Sequence, residues 1–183
     1  MTPVQDDSSR RAVFLDRDGV VVRALVRDGL PRSASTLDEL EILADAEEAC
    51  SALKEAGFAL VVVTNQPEIA RGTLAPETID RQNDVLRDAL PLDEVVVCPH
   101  DDGDGCDCRK PKPGMLLDAA ARLGVDLGSS FMVGDRWRDI EAGRRAGCRV
   151  VFVDRGYDEE VRVEPDAVVG DLGDAVRWIL KVC

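Results

Sequence analysis

The chain has 183 residues, 45% hydrophobic and 32% charged, and this balance is typical of one globular domain with a buried core. Its formal net charge of −13 argues against nucleic-acid or anionic-membrane partners, because an acidic surface repels polyanions. No apolar run is long enough to cross a bilayer, and the first residues lack a signal-peptide core, so we expect a cytoplasmic protein.

Short apolar runs alternate along the chain with segments of helical periodicity. The runs lack polar alternation, which is typical of strands buried on both faces, and they lie at residues 12–16, 58–63, 94–97, 130–133 and 149–153. The helical segments lie at 46–57, 76–90, 114–123, 138–146 and 173–182. We expect residues 1–10 to be disordered, 19–44 to form an irregular connection, and 11–183 to form a single domain. This order predicts an α/β fold with a doubly wound parallel sheet, whose ligand crevice lies at the carboxyl ends of the strands.

Polar side chains follow four of the predicted strands. They are Asp16, Asp18, Thr64, Asn65, Gln66, Arg109, Lys110, Asp135 and Asp139. A phosphomonoesterase requires a nucleophile, a proton donor for the leaving oxygen, and positive charge around the phosphoryl group. A carboxylate such as Asp16 can form a mixed anhydride, and Asp18 lies two residues further on, where it could protonate the leaving group. The strand ends therefore predict a phosphate-ester site.

The segments FLDRDG, VVVTNQ, RKPKPG and VGDRWRD resemble, in order, the four motifs of the haloacid dehalogenase (HAD) superfamily, between about residues 12 and 155. The resemblance implies an HAD-like Rossmannoid fold and a magnesium-dependent phosphoric monoester hydrolase that forms an aspartyl-phosphate. It implies Asp16 as the nucleophile and Asp18 as the general acid/base. Thr64 and Lys110 would hold the phosphoryl oxygens, and we prefer Lys110 to Lys112 because it directly precedes the first proline of the motif.

The same resemblance implies a Mg²⁺ site. Its ligands would be Asp16, Asp135 and the backbone carbonyl of Asp18, and Asp139 is either a further ligand or an orienting residue. We expect the substrate to contact Arg17, Asn65, Gln66 and Arg109.

Three cysteines and the only histidine lie within eleven residues. They form the pattern C-x-H-x5-C-x-C, with Cys98, His100, Cys106 and Cys108. Three thiolates and an imidazole suit tetrahedral zinc and leave no open position, so we expect a structural Zn²⁺ that holds this loop in place. The ion would also fix the orientation of Arg109 and Lys110, which directly follow the last ligand. The alternative is a set of ordinary buried or free thiols.

Within the HAD superfamily, this loop resembles that of a small group of heptose-1,7-bisphosphate 7-phosphatases and histidinol-phosphate phosphatases. The segments TNQPEIARG and CRKPKPGM are more similar to the former, which implies hydrolysis of the 7-phosphate of a small sugar bisphosphate. Pro67-Glu68 and the 19–44 segment depart from the family pattern and leave the sugar open. Another sugar-phosphate phosphatase, or a non-enzymatic zinc-stabilised binding protein, remains an alternative. No segment is long enough for a cap domain, so we expect an essentially capless monomer with a small flap.

Overall fold

A computed structural model describes residues 10–183. The strands are β1 Ala12–Leu15, β2 Leu25–Arg27, β3 Leu30–Arg32, β4 Ala59–Asn65, β5 Glu94–Cys98, β6 Phe131–Gly134, β7 Arg149–Val153 and β8 Ala167–Val169. The helices are α1 Ala46–Glu55, α2 Pro76–Ala89, α3 Gly114–Leu123, α4 Trp137–Ala146 and α5 Leu172–Val182.

Six of the strands form one parallel sheet in the order β5-β4-β1-β6-β7-β8. The chain proceeds from β1 outward to β4 and β5, and then returns to place β6 on the other side of β1. Leu15 at the end of β1 lies level with Val62 on β4 and Val133 on β6. This reversal opens a crevice beyond the carboxyl ends of β1, β4 and β6, which is where ligands bind in sheets of this kind.

The sheet is buried on both faces. Val13 and Leu15 of β1 pack in the cluster that contains residues of α1, α2 and α5, whereas Ala12 and Phe14 pack in the cluster that contains residues of α3 and α4. All four side chains are fully buried. Because neither face meets water, the strand carries no polar alternation, and the predicted doubly wound sheet is confirmed.

All five predicted strands and all five predicted helices are confirmed, each within two residues of its predicted bounds. Asp45 stands at the N-cap of α1, but its side chain does not cap that helix. It accepts a hydrogen bond from the Gly173 amide at 3.2 Å instead, and so ties α1 to α5.

Two features were missed. Residues 19–44 are not irregular throughout, because β2 and β3 pair as an antiparallel hairpin in which Leu25 lies opposite Arg32. The Asp28-Gly29 turn has φ of 54° and 74°, as a type I′ hairpin turn requires, and this dipeptide was the overlooked signal. Strand β8 escaped prediction because it has three residues, pairs only with β7, and is partly exposed.

The predicted disordered stretch 1–10 lies outside the described residues except for Arg10. That residue is placed: it bridges to Val125 and forms an ion pair with Asp93 at 2.9 Å. Between residues 10 and 183, none of the helices combines the length and the apolar character required to cross a membrane.

Candidate active site

Three carboxylates meet at the end of the central strands. Asp16 directly follows β1, Asp135 directly follows β6, and Asp139 lies in the first turn of α4. One oxygen from each lies within 4.8 Å of the others, and all three residues are at least nine-tenths buried. The structure therefore brings together three of the acids that the sequence predicted at this edge of the sheet.

Lys110 is the cation inside this acid cluster. Its Nζ donates to Asp16 Oδ1 at 2.7 Å, to the Val63 carbonyl oxygen at 2.7 Å, and lies 2.6 Å from Asp139 Oδ1. The rival Lys112 points elsewhere, since its Nζ donates to carbonyl oxygens of the cysteine loop. One ammonium facing three carboxylates leaves an excess of negative charge when all are ionised.

The charge excess shifts the protonation of the cluster. Burial and the nearby Asp139 carboxylate raise the pKa of Asp16 to about 6, although Lys110 opposes this shift. Burial, together with the charges of Asp16 and Asp139, holds the pKa of Asp135 well above its usual range. Burial acts to lower the pKa of Lys110, but Asp139 and Asp16 outweigh it and raise that pKa. A divalent cation placed here would offset both the burial of these carboxylates and the repulsion between them.

The surroundings of Asp135 fit such a cation. Within residues 10–183, neither buried oxygen of Asp135 has a hydrogen-bond partner of normal geometry, although the Tyr157 hydroxyl lies near enough to act against the rise in the Asp135 pKa. Gly19 is required beside Asp135, because a Cβ there would lie 1.7 Å from Asp135 Oδ2 and 3.0 Å from the Tyr157 hydroxyl oxygen. Burial and the charge of Asp135 raise the pKa of Tyr157, a neighbour that no sequence motif indicated. Carboxylates with free lone pairs are the ligands that Mg²⁺ prefers, so these residues fit Mg²⁺.

Asp18 lies on the other side of the turn that follows Asp16. Its Oδ2 accepts hydrogen bonds from Arg17 Nε at 3.1 Å, Ser33 Oγ at 3.0 Å and Gln66 Nε2 at 3.0 Å. Arg17 and Gln66 were expected to contact substrate, but both are fully buried. Their side chains donate to Asp18, and neither residue is among those that line the cavity in front of it. Substrate contact by Arg17 and Gln66 therefore stays a prediction. Ser33 was not predicted, and it lies in the segment that follows the hairpin.

A polar cavity of about 70 Å³ lies in front of these groups. It is lined by Asp16, Asp18, Pro31, Arg32, Ser33, Thr64, Asn65, Lys110, Arg136, Arg138 and Asp139. Thr64 accepts a hydrogen bond from Gln66 Nε2 at 2.8 Å. The Asn65 side chain accepts from the Lys110 amide at 3.1 Å and donates to the Lys110 carbonyl at 3.0 Å, so it holds the backbone of the motif lysine.

A second, larger cavity of about 210 Å³ adjoins the first and shares six lining residues with it. We name it the arginine cavity, because its lining includes Arg32, Arg71, Arg109, Arg136 and Arg138. Arg109 lies here and not among the residues that line the smaller cavity. Asp102 accepts hydrogen bonds from Arg109 at 2.9 Å and from Arg138 at 3.0 Å. Glu68 and Asp102 line the same cavity, so its five guanidinium groups outnumber its two carboxylates and favour an anion on a chain with net charge −13.

The four predicted zinc ligands lie together. Sγ of Cys98 is 3.2 Å from that of Cys108 and 3.8 Å from that of Cys106, and His100 Nδ1 is 3.3 Å from Cys108 Sγ. Tetrahedral Zn²⁺ with bonds of about 2.3 Å would place sulfurs about 3.8 Å apart, close to the longer of these spacings. All six cysteines are free thiols, and the cluster could bind a metal ion. Arg109 Nη1 donates to the His100 carbonyl at 3.1 Å and so links this loop to the arginine cavity.

Comparison with known proteins places these motifs in context. The HAD-hydrolase-like family profile matches residues 107–175. A D-glycero-D-manno-heptose-1,7-bisphosphate 7-phosphatase from Chlorobaculum tepidum is 36% identical, over 92% of this chain and 93% of that protein. A D-glycero-beta-D-manno-heptose-1,7-bisphosphate 7-phosphatase from Pseudomonas aeruginosa is 40% identical, over 81% and 83%. The crystal structure of the D,D-heptose 1,7-bisphosphate phosphatase from B. bronchiseptica, complexed with magnesium and phosphate, superposes with a TM-score of 0.80 at 32% identity, over 94% of this chain and 99% of that one.

Proposed function

The chain belongs to the HAD-like hydrolases, in the family of the heptose-1,7-bisphosphate 7-phosphatases, and we therefore propose that it hydrolyses the 7-phosphate of D-glycero-D-manno-heptose 1,7-bisphosphate. One observation carries the proposal: Asp16 stands at the end of the central strand, held by Lys110, with Asp18 two residues away and the arginine cavity adjoining. We also propose that residues 11–183 form one phosphatase domain.

In the first step, a carboxylate oxygen of Asp16 attacks phosphorus. The bond from phosphorus to the ester oxygen breaks, and Asp18 transfers its proton to that oxygen, so that the sugar leaves as an alcohol. Lys110 and Thr64 border the same cavity, where an ammonium and a hydroxyl can donate to the phosphoryl oxygens.

In the second step, water attacks the phosphorus of the aspartyl-phosphate. Asp18 takes a proton from that water, the bond between phosphorus and Asp16 breaks, and inorganic phosphate leaves. The Asp16 carboxylate and the protonated Asp18 are thereby restored for the next cycle.

Asp16, Asp135 and the backbone carbonyl of Asp18 would hold Mg²⁺, and Asp139 would act as a further ligand or through its ion pair with Lys110. When bound, Mg²⁺ neutralises charge on the phosphoryl oxygens and holds them in line with the nucleophile. The unpartnered oxygens of Asp135 support this assignment.

For the cysteine loop we propose a structural Zn²⁺ held by Cys98, His100, Cys106 and Cys108. Four protein ligands leave no position for water or substrate, so the ion does no chemistry. Its effect on function is indirect, since the loop that it orders carries Arg109, whose guanidinium bonds the His100 carbonyl.

The arginine cavity supports a substrate with a second anionic group. The smaller cavity has room near Asp16 for the phosphoryl group that reacts, and the adjoining cavity can receive the phosphate that stays on the sugar. The side chain of Arg32 is exposed and makes no hydrogen bond or ion pair among residues 10–183, and the guanidinium of Arg109 can bind phosphate in bidentate fashion. This placement supports a bisphosphate over a monophosphate.

A substrate comparison tests the proposal. Phosphate release is measured from heptose 1,7-bisphosphate, heptose 7-phosphate, fructose 1,6-bisphosphate and histidinol phosphate. We expect the highest kcat/KM for the heptose bisphosphate and about tenfold less for heptose 7-phosphate, which lacks the second phosphate. Phosphorus NMR should show one phosphate released per molecule and a heptose 1-phosphate product. An equal or higher kcat/KM for histidinol phosphate would contradict the substrate assignment.

We further propose a cytoplasmic monomer. Six free thiols suit a reducing compartment. The exposed large apolar side chains come from six separate segments, namely Val26, Leu37, Val85, Leu117, Val168 and Leu180. Light scattering at several protein concentrations would test the monomer.

A further inference from the structure

Three donors converge on a single oxygen of Asp18. Ser33 Oγ and Gln66 Nε2 each lie 3.0 Å from Oδ2, and Arg17 Nε lies 3.1 Å from it. Among the described residues, Oδ1 accepts only a longer bond of 3.3 Å from the same guanidinium. Oδ2 is therefore the oxygen that the protein holds, and Oδ1, which is less engaged, is the oxygen left to carry the transferred proton.

Two of the three donors belong to the sheet scaffold. Arg17 neighbours Asp18 in the chain, and Gln66 directly follows β4. The third donor, Ser33, belongs to the flap, which we define as residues 25–36. Ser33 also lines the cavity in which the phosphoryl group would react.

The flap is anchored by the same buried network. Nε2 of Gln82, on α2, donates to the carbonyl oxygens of Ala34 at 3.0 Å and Thr36 at 3.2 Å. Its Oε1 accepts a hydrogen bond from Arg17 Nη1 at 3.2 Å. Gln82 is fully buried. Its side chain therefore holds both the flap and the Arg17 guanidinium that bonds Asp18.

We propose that Ser33 is a positioning residue for the acid/base carboxyl group. Its hydroxyl holds Oδ2 of Asp18 so that Oδ1 faces the ester oxygen, to which the proton moves as the bond to phosphorus breaks. Ser33 keeps its own proton throughout. The inference rests on the proposed function, in which Asp18 protonates the leaving group.

The leaving group distinguishes this role from a purely structural one. An alkoxide needs a proton to depart, whereas a p-nitrophenolate is stable without one. A misaligned Asp18 should therefore slow the release of alcohols much more than the release of p-nitrophenol. The second step, attack of water on the aspartyl-phosphate, is the same for every ester, so single-turnover release of the leaving group isolates the first step.

The experiment measures single-turnover release from p-nitrophenyl phosphate, phenyl phosphate, glycerol 2-phosphate and glucose 6-phosphate, with Mg²⁺ present. Ser33→Ala should slow the two alkyl esters by roughly tenfold and p-nitrophenyl phosphate by less than about twofold. Ser33→Thr, which keeps a hydroxyl, should restore the alkyl rates. Ser35→Ala is the matched control, because Ser35 is exposed and its side chain bonds only Glu39 among the residues that the structure describes.

Asp18→Asn provides the reference for lost proton transfer and should show the same selectivity with larger losses. If Asp18→Asn is selective and Ser33→Ala slows all four esters equally or not at all, the role of Ser33 is overturned while the proposed function stands. If Asp18→Asn slows all four equally, the acid assignment itself fails and the inference fails with it. Ser33→Thr also keeps the test valid should the alanine variant fold poorly.

Discussion

The acid cluster and the cysteine loop are two candidate metal sites built in opposite ways. Asp16, Asp135 and Asp139 come from strand ends and a helix start that the hydrophobic core already holds in place. The cysteine cluster lies mostly in an aspartate- and glycine-rich loop, where only Cys98, at the end of β5, is fully buried. The acid cluster is therefore held by strands and a helix that pack in the core. The cysteine cluster lies in a loop whose order depends in large part on the ligand residues themselves.

The ligand atoms of the two groups differ accordingly. In the acid cluster, both oxygens of Asp135 are buried without a hydrogen-bond partner of normal geometry among the described residues, and burial together with repulsion raises the pKa of Asp16 and of Asp135. In the cysteine cluster, each ligand atom lies 3.2–3.8 Å from another one, and the four side chains would fill every position of a tetrahedral zinc site. We infer that an ion in the acid cluster has positions left for substrate, whereas an ion in the loop contributes to order alone.

The largest effect should come from Asp16→Asn. An amide cannot form the aspartyl-phosphate, so turnover should fall by about 10⁴-fold or more. The melting temperature without Mg²⁺ should not fall, because the substitution removes one of three mutually repelling carboxylates. Phosphate-release kinetics and calorimetry measure both effects, and Asp118→Asn, on an exposed position of α3, is the control. Residual turnover within a hundredfold of the unmodified protein would refute the nucleophile assignment.

A smaller effect should come from Cys106→Ser. Elemental analysis should find about one zinc per chain in the unmodified protein and far less in this variant, with a melting temperature lower by roughly 5 °C. Turnover should fall only in part, since the reacting groups stay on the sheet. Cys183→Ser, at an exposed thiol, should change neither quantity.

Chelation extends the same experiment. Removal of Mg²⁺ by EDTA, followed by return of any Zn²⁺ that EDTA also extracts, should stop turnover and leave the fold intact, and added Mg²⁺ should restore activity in the unmodified protein. The deficit of Cys106→Ser should persist at any Mg²⁺ concentration. Recovery of that variant by Mg²⁺ alone would show that the two sites are not as distinct as proposed.

The smallest effect should come from Asp102→Asn, which weakens the link between the cysteine loop and the arginine cavity. Asp102 lies between the second and third loop ligands and holds Arg109 and Arg138 at the arginine cavity. Because these ion pairs are partly exposed, we expect KM for the bisphosphate to rise about two- to threefold, with kcat and zinc content unchanged. Asp107→Asn is the matched control, since that loop carboxylate pairs only with Lys112. An equal change in KM for both variants would point to overall charge as the cause.

Much of the site was predictable because it follows strands. Buried strands have a distinct apolar signature, and parallel strands end at a common edge, so the convergence of Asp16, Asp135 and Lys110 followed from pattern alone. The four cysteine-loop residues were predictable because metal ligands close in sequence leave a spacing signature. The predicted HAD family and phosphatase class are confirmed by the relatives of this chain.

Other parts of the site could not be predicted, because the hydrogen-bond partners of these side chains come from segments that are distant in the sequence. Arg17 and Gln66 stand in motif positions, yet their side chains are buried and donate to Asp18. Ser33 bonds Asp18 although the two are fifteen residues apart in the chain, and Tyr157 lies near Asp135, twenty-two residues away. Neither Ser33 nor Tyr157 belongs to a local sequence motif.

The sequence by itself determined the sheet, the strand-end acids and the ligand spacing of the loop, because apolar runs and short spacings are local properties of the chain. Only the tertiary structure decided which oxygen of Asp18 is held, that Arg109 faces a separate cavity, and that the flap reaches the acid/base group. These features depend on the angles at which packed elements bring side chains together, and those angles arise from the core as a whole.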